Sequence, residues 1–164
     1  MRRGTVGRTP FSIFKVRTGQ KRGNKEEENP MLEIDPQLKQ YFQLDPVTVT
    51  AEDIKGFAEA LGDLNPWCLD EEAARQAGYP DVIAPPMFCM QMRGGRMLPE
   101  VPLPSGLTSL HAGQELEFYD EIVAGRTYTI TARVAEVYEK TGRSGPMDII
   151  VREATITDAT GRTV

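Results

Sequence analysis

Histidine is almost missing from this chain: in 164 residues there is one, His111. A single imidazole argues against a zinc site built on histidines and against a catalytic triad that needs a second one. Cysteine is nearly as scarce. Cys68 and Cys89 are the only two, and they lack metal-ligand spacing. They read as free thiols of a reducing compartment, which implies a cytoplasmic protein; a disulfide between them is the alternative. No apolar run approaches the length of a membrane helix, so no membrane partner is expected. Acids are absent from residues 1–25, which carry eight Lys/Arg, whereas residues 26–164 hold eleven Lys/Arg against all 24 acids. The body is therefore acidic although the net charge is only −5, and a nucleic-acid partner is not expected.

What is present is enough for one domain with a core: 40% of the residues are hydrophobic. The first thirty residues show no sustained period and are rich in Gly, Arg and Lys. They suit a transit-type leader or a basic arm, but composition favours a disordered or mis-assigned extension, with Met31 opening a single domain over 31–164.

Periodicity divides that domain. In the first half, "DPVTVT" gives a short strand, and Thr50 with Asp53 forms the start signal of a helix. Ile54, Phe57, Ala58 and Leu61 repeat at helical spacing until Gly62 stops the run. Asp70 can cap "EEAARQA", which ends at Gly78. "APPMFCMQMRGG" places Pro85 and Pro86 in a first helical turn and leaves almost no polar face, which describes a buried helix stopped by Gly94 and Gly95. The second half has period two. "HAGQELEFY" is a strand candidate. Tyr128, Ile130, Ala132 and Val134 alternate with threonines and Arg133, and the pattern slips near Ala135, as at a bulge. "MDIIVREATIT" is a further strand. "DATG" is a hairpin turn, with Gly161 where a positive φ is needed. The strand opened by Arg162–Thr163–Val164 should pair back on 147–157; it is short, so either more chain or a partner is expected at that edge. An apolar helix followed by long antiparallel strands predicts an α+β domain whose sheet wraps the helix.

The polar loop "GDLNPWCLDEEAARQAGY", the helix start "VIAPPMF", the segment "LHAGQELEFYDEIVAG" and the hairpin "GRSGPMDIIVREATITDATG" resemble, in this order over residues 36–164, the MaoC-like hot-dog dehydratases. The branch they look most like is the N-terminal, fatty-acid-synthase-type dehydratase half. The resemblance implies a hot-dog fold and (R)-specific hydration of 2-enoyl thioesters, or dehydration of 3-hydroxyacyl thioesters. The thioester of coenzyme A or an acyl carrier would be the substrate, with no resident cofactor and no metal.

That reaction needs a base to activate water, an acid to protonate the α-carbon, and an N–H donor to hold the thioester oxygen. In catalytic members the loop supplies an Asp and, five residues on, a His, while a Gly at the central helix supplies the N–H. Carried over, the Asp falls on Asp63, the His on Cys68 and the Gly at or beside Pro86. A thiol with an unperturbed pKa near 8.5 does not replace imidazole near neutrality. Proline has no N–H to give. The resemblance therefore implies a non-catalytic, substrate-binding half, in a homodimer or paired with a catalytic hot-dog subunit. Two alternatives remain: an acyl-thioester-binding module without turnover, and a self-sufficient dehydratase using Asp63.

Each candidate also has a structural reading. Asp63 and Asn65 can organise the turn rather than act as base or ligand contact. Cys68 reads as a packed thiol, since no base stands near it in sequence. His111 reads as a hydrogen-bonded structural residue. Met87, Phe88 and Met90 are core residues that can also line an acyl tunnel. Arg143, in the "TGRSGP" loop, is a candidate for a coenzyme A phosphate, as are Arg93 and Arg96.

Overall fold

The computed structural model describes residues 32–92, 99–103, 109–142 and 145–164. The basic extension, Arg93, Gly94, Gly95, Arg96 and Arg143 lie outside them. A single-turn 3-10 helix, Pro36–Lys39, opens the chain, capped by the Asp35 carboxylate. Among the described residues four strands form one antiparallel sheet: β1 (Phe42–Gln43), β2 (Val47–Thr48), β3 (Thr127–Gly142) and β4 (Gly145–Asp158). β1 and β2 lie end to end on one edge of β3, with Phe42 opposite Ala132 and Val47 opposite Tyr128. Pro46 stands in the break between them, where a residue without an N–H cannot continue a ladder. β4 runs along the other edge of β3 from Gly142↔Gly145 to Tyr128↔Asp158.

The alternation expected of β3 is present. Tyr128, Ile130, Ala132 and Val134 are all fully buried. The expected bulge is there as well, as a register shift between Val134 and Glu136. On the opposite face Arg133 holds Glu153 across the strands with Nε and Nη2 at 2.9 and 2.8 Å, and the Tyr41 ring lies 4.6 Å from its guanidinium carbon. The closing turn also follows expectation. Gly161 has φ +83°, and Val164 N–H donates to Ile156 C=O at 3.1 Å.

Among the described residues four helices pack on the inner face: α1 (Ala51–Leu61), α2 (Pro66–Leu69), α3 (Glu71–Gln76) and α4 (Phe88–Gln91). α1 has the full capping box, with Asp53 N–H on the Thr50 hydroxyl and Thr50 N–H on the Asp53 carboxylate. It ends at Gly62 in the left-handed conformation. Ile54 and Ala58 of α1, Phe88 and Cys89 of α4, Met92 and the inward residues of β3 and β4 form one core.

Two expectations need correction. The helix after the two prolines starts later than the sequence suggests. Pro85 and Pro86 precede α4, because Phe88 N–H turns back to Pro85 C=O at 2.8 Å and Pro86 lies within that turn. Met87 is 38% exposed and Gln91 is exposed, so this stretch has an open side that a wholly buried helix lacks. The "HAGQELEFY" segment carries only an isolated bridge at His111 and no ladder among the described residues. Its residues are exposed apart from the half-buried Gly113 and Leu116, so the alternation that marks a strand is missing.

Candidate functional site

The loop after α1 is built by its own side chains. Asp63 N–H returns to Ala58 C=O at 2.9 Å, which completes the helix stop at Gly62. The Asp63 carboxylate then accepts the Asn65 N–H at 3.0 Å, and the Asn65 side chain accepts the Trp67 N–H at 3.1 Å, capping α2. Asp70 repeats the device, taking the Ala73 N–H at 2.7 Å to cap α3. Pro66 fits the first position of α2, where a missing N–H costs nothing. Three short polar side chains thus set three successive turns. Trp67 lies against Tyr79 with ring centroids 5.6 Å apart, and its carbonyl accepts the Ile83 N–H at 3.0 Å.

Cys68 points inward from this loop and is 1% exposed. Burial pushes its thiol up to about 11, and the carboxylates of Asp63 and Glu121 push in the same direction. At neutral pH the group is a protonated thiol, which is a poor nucleophile and a poor proton acceptor. The carboxylates of Asp63 and Glu121 are thus near enough to Cys68 to act on it electrostatically. The only sequence signal for Glu121 is its place in the "DEIVAG" run. No disulfide joins Cys68 and Cys89.

From Trp67 the backbone contact passes to Ile83, which faces Val123 in an isolated antiparallel bridge. Ala84 N–H to Ile122 C=O and Ala124 N–H to Val82 C=O, at 2.8 and 3.0 Å, flank that pair. Ile83 and Val123 are thus a non-hydrogen-bonded pair, and the polar groups of Val123 face the other way. The buried Tyr128 hydroxyl meets them: Val123 N–H donates to it at 2.7 Å, and it donates to Val123 C=O at 3.4 Å.

Three residues beyond Ile83 stands Pro86, exposed. Its carbonyl accepts from the Cys89 thiol at 3.1 Å. The Met87 thioether accepts from the Gln114 carboxamide at 3.3 Å. Phe88 is buried edge-on against Phe57, centroids 5.5 Å apart, and Met90 is half-buried beside the core. A groove of about 710 Å³ opens between β2, α1 and α4, with Val47, Gly56, Phe57, Phe88 and Met92 on its walls. Neither Asp63 nor Cys68 lines it. His111 is exposed, and no hydrogen bond or ion pair joins it to Asp63 or Cys68. Among the described residues no group of His, Cys, Asp and Glu is arranged to hold a metal ion. Among them, too, no helix is long and apolar enough to cross a membrane.

The sheet and helices define a hot-dog fold, and the comparisons with known proteins agree. The chain is similar to the unliganded R-hydratase PhaJ1 of Pseudomonas aeruginosa, with a TM-score of 0.60 at 21% identity over 81% of this chain and 76% of that one. It is similar to the HadBC (3R-hydroxyacyl-ACP dehydratase) complex of Mycobacterium tuberculosis, with a TM-score of 0.59 at 24% identity over 76% of this chain and 88% of that one. At such identities the likeness shows the fold. Residues 39–164 match the FAS1-like, dehydratase domain region, and the chain belongs to that family. A UPF0336 protein of Saccharopolyspora erythraea is 36% identical over 121 residues, 71% of this chain and 74% of the relative.

Proposed function

We propose that this chain is the substrate-binding, non-catalytic half of an (R)-specific 2-enoyl-thioester hydratase, or 3-hydroxyacyl-thioester dehydratase, working beside a hot-dog subunit that carries the Asp and His. The substrate is the thioester of coenzyme A or of an acyl carrier, and no metal or cofactor takes part. Hydration places the water hydroxyl on the β-carbon and a proton on the α-carbon, so a group must accept one proton and another return one. The observation that carries the proposal is Cys68. It is a buried thiol pushed up to about 11 at the position where the resemblance puts the imidazole. Asp63 is engaged in holding the Asn65 N–H, the role of a loop organiser. The resemblance puts the oxyanion donor at or beside Pro86, which has no N–H to offer. Membership of a dehydratase-region family supports the reaction class. The hetero-complexes among the proteins of similar fold, HadBC and ChsH1–ChsH2, support a two-subunit arrangement.

The test is to purify the chain with its binding partners from the native host, identify them by mass spectrometry, and assay each fraction with enoyl-CoA. A co-purifying subunit with an intact Asp-plus-His loop, and turnover only in its presence, is the expected result. Thioester binding by a chain that co-purifies with no partner, with no turnover in any fraction, would favour the pure binding module instead. Turnover by the chain alone that Asp63→Asn abolishes would favour the self-sufficient enzyme.

A further inference from the structure

A thioester carbonyl that is to be polarised needs a donor aimed at its oxygen, and Pro86 cannot provide one. Trp67 C=O holds Ile83 N–H, and three residues beyond Ile83 the chain reaches the exposed Pro86–Met87 corner. At that corner the Pro86 carbonyl is taken by the Cys89 thiol. Gln114 reaches the corner from another segment, and its carboxamide nitrogen lies 3.3 Å from the Met87 sulfur. A thioether is a weak acceptor, so this amide rests on a poor partner, at an exposed position where a better acceptor can displace it.

We propose that the Gln114 carboxamide binds the thioester carbonyl oxygen at the Pro86–Met87 corner, in place of the N–H that proline lacks. This rests on the thioester-binding reading above. The chemistry suits the surroundings: residues 26–164 are strongly acidic, and a neutral amide orients a carbonyl without an opposite charge that neighbouring carboxylates would capture. The Met87 thioether, unbranched and polarisable, can move aside when the oxygen arrives.

The experiment uses the full chain and a saturated acyl-CoA, isotope-labelled in its carbonyl, which cannot be hydrated. Affinity is read by calorimetry, and the bound carbonyl stretch by infrared difference spectroscopy. On binding to the unaltered chain the stretch should move to lower frequency, as a hydrogen-bonded carbonyl does. Gln114→Leu should weaken binding by up to about tenfold, the worth of one neutral hydrogen bond, and should return the stretch toward its free position. Gln114→Glu, of the same length but carrying an acceptor, should weaken binding further. Thermal unfolding should be unchanged in both, because Gln114 is exposed. If Gln114→Leu binds within about twofold of the unaltered chain with the same carbonyl stretch, the assignment of Gln114 is wrong and the thioester reading stands. If the unaltered chain does not bind the acyl-CoA, the thioester reading fails and the assignment fails with it.

Discussion

Replacing Tyr128 by Phe removes one oxygen from a ring that is 0% exposed, and the structure says what that oxygen does. The flanking bonds from Ala84 and Ala124 make Ile83 and Val123 a non-hydrogen-bonded pair, so Val123 N–H has no acceptor on the segment it faces. It donates instead to the Tyr128 hydroxyl at 2.7 Å. The return bond from the hydroxyl to Val123 C=O, at 3.4 Å, is long and adds little. Val123 is 3% exposed, so water cannot take over when the hydroxyl is gone. The variant keeps the ring and its packing. Its cost is therefore that of one buried N–H left unsatisfied, about 1–3 kcal/mol. For a domain of this size that corresponds to a fall in Tm of roughly 3–12 °C. Urea unfolding with an unchanged slope gives the free energy, and hydrogen exchange at the Val123 amide locates it. The exchange should accelerate there and in the 82–84 segment before it does in β4. A Phe variant within about 0.5 kcal/mol of the unaltered protein would refute the reasoning, since it would mean that the N–H finds another acceptor.

The Cys68 thiol is pushed up to about 11, so the folded state holds its proton more tightly than the unfolded chain. Stability from this group is therefore full below the ordinary thiol range and falls as pH rises from about 9 toward 11; Cys68→Ala should flatten that part of the pH–stability curve. At pH 7 a thiol reagent should leave Cys68 untouched until the protein unfolds. Gly56 sits inside α1 with open space where a Cβ would be, so Gly56→Ala should raise stability by about 0.5–1 kcal/mol in thermal unfolding. Asn65→Ala removes the cap of α2 and frees the Trp67 N–H, and should cost about 1 kcal/mol by urea unfolding while Asn65→Asp restores most of it.

Much of the fold is legible in local chemistry. The Thr50–Asp53 box, the stop at Gly62, the cap at Asp70 and the turn at Gly161 each depend on residues within a few positions of one another, and each is found where the sequence puts it. The face of β3 is legible because burial there is strictly alternate, and the bulge shows as a break in that alternation. The start of α4 is not legible, because a Pro-Pro pair is compatible both with a first helical turn and with the turn that precedes it. The 111–119 segment misleads for another reason. Its composition suits a strand, but strands require a neighbour, and neighbours are not written locally. In the site, the turn-making of Asp63 and Asn65 follows from their type and spacing. The electrostatic influence of Glu121 on Cys68 and the contact of Gln114 with Met87 do not, since each joins segments remote in sequence.

Whether the chain can do the chemistry by itself decides between a binding half and a complete enzyme. The measurement is the hydration of crotonyl-CoA and longer enoyl-CoA by the isolated chain, followed as loss of ultraviolet absorbance. Positioned acid–base groups contribute about 10²–10⁴-fold, and an oxyanion donor about 10²–10³ more. With a thiol at Cys68 and no N–H at Pro86, the isolated chain should show only a trace rate. Adding a subunit with an intact Asp-plus-His loop should restore turnover, and Asp63→Asn in this chain should then cost little. Efficient hydration by the isolated chain, abolished by Asp63→Asn, would contradict the account and make Asp63 the working base of a complete enzyme.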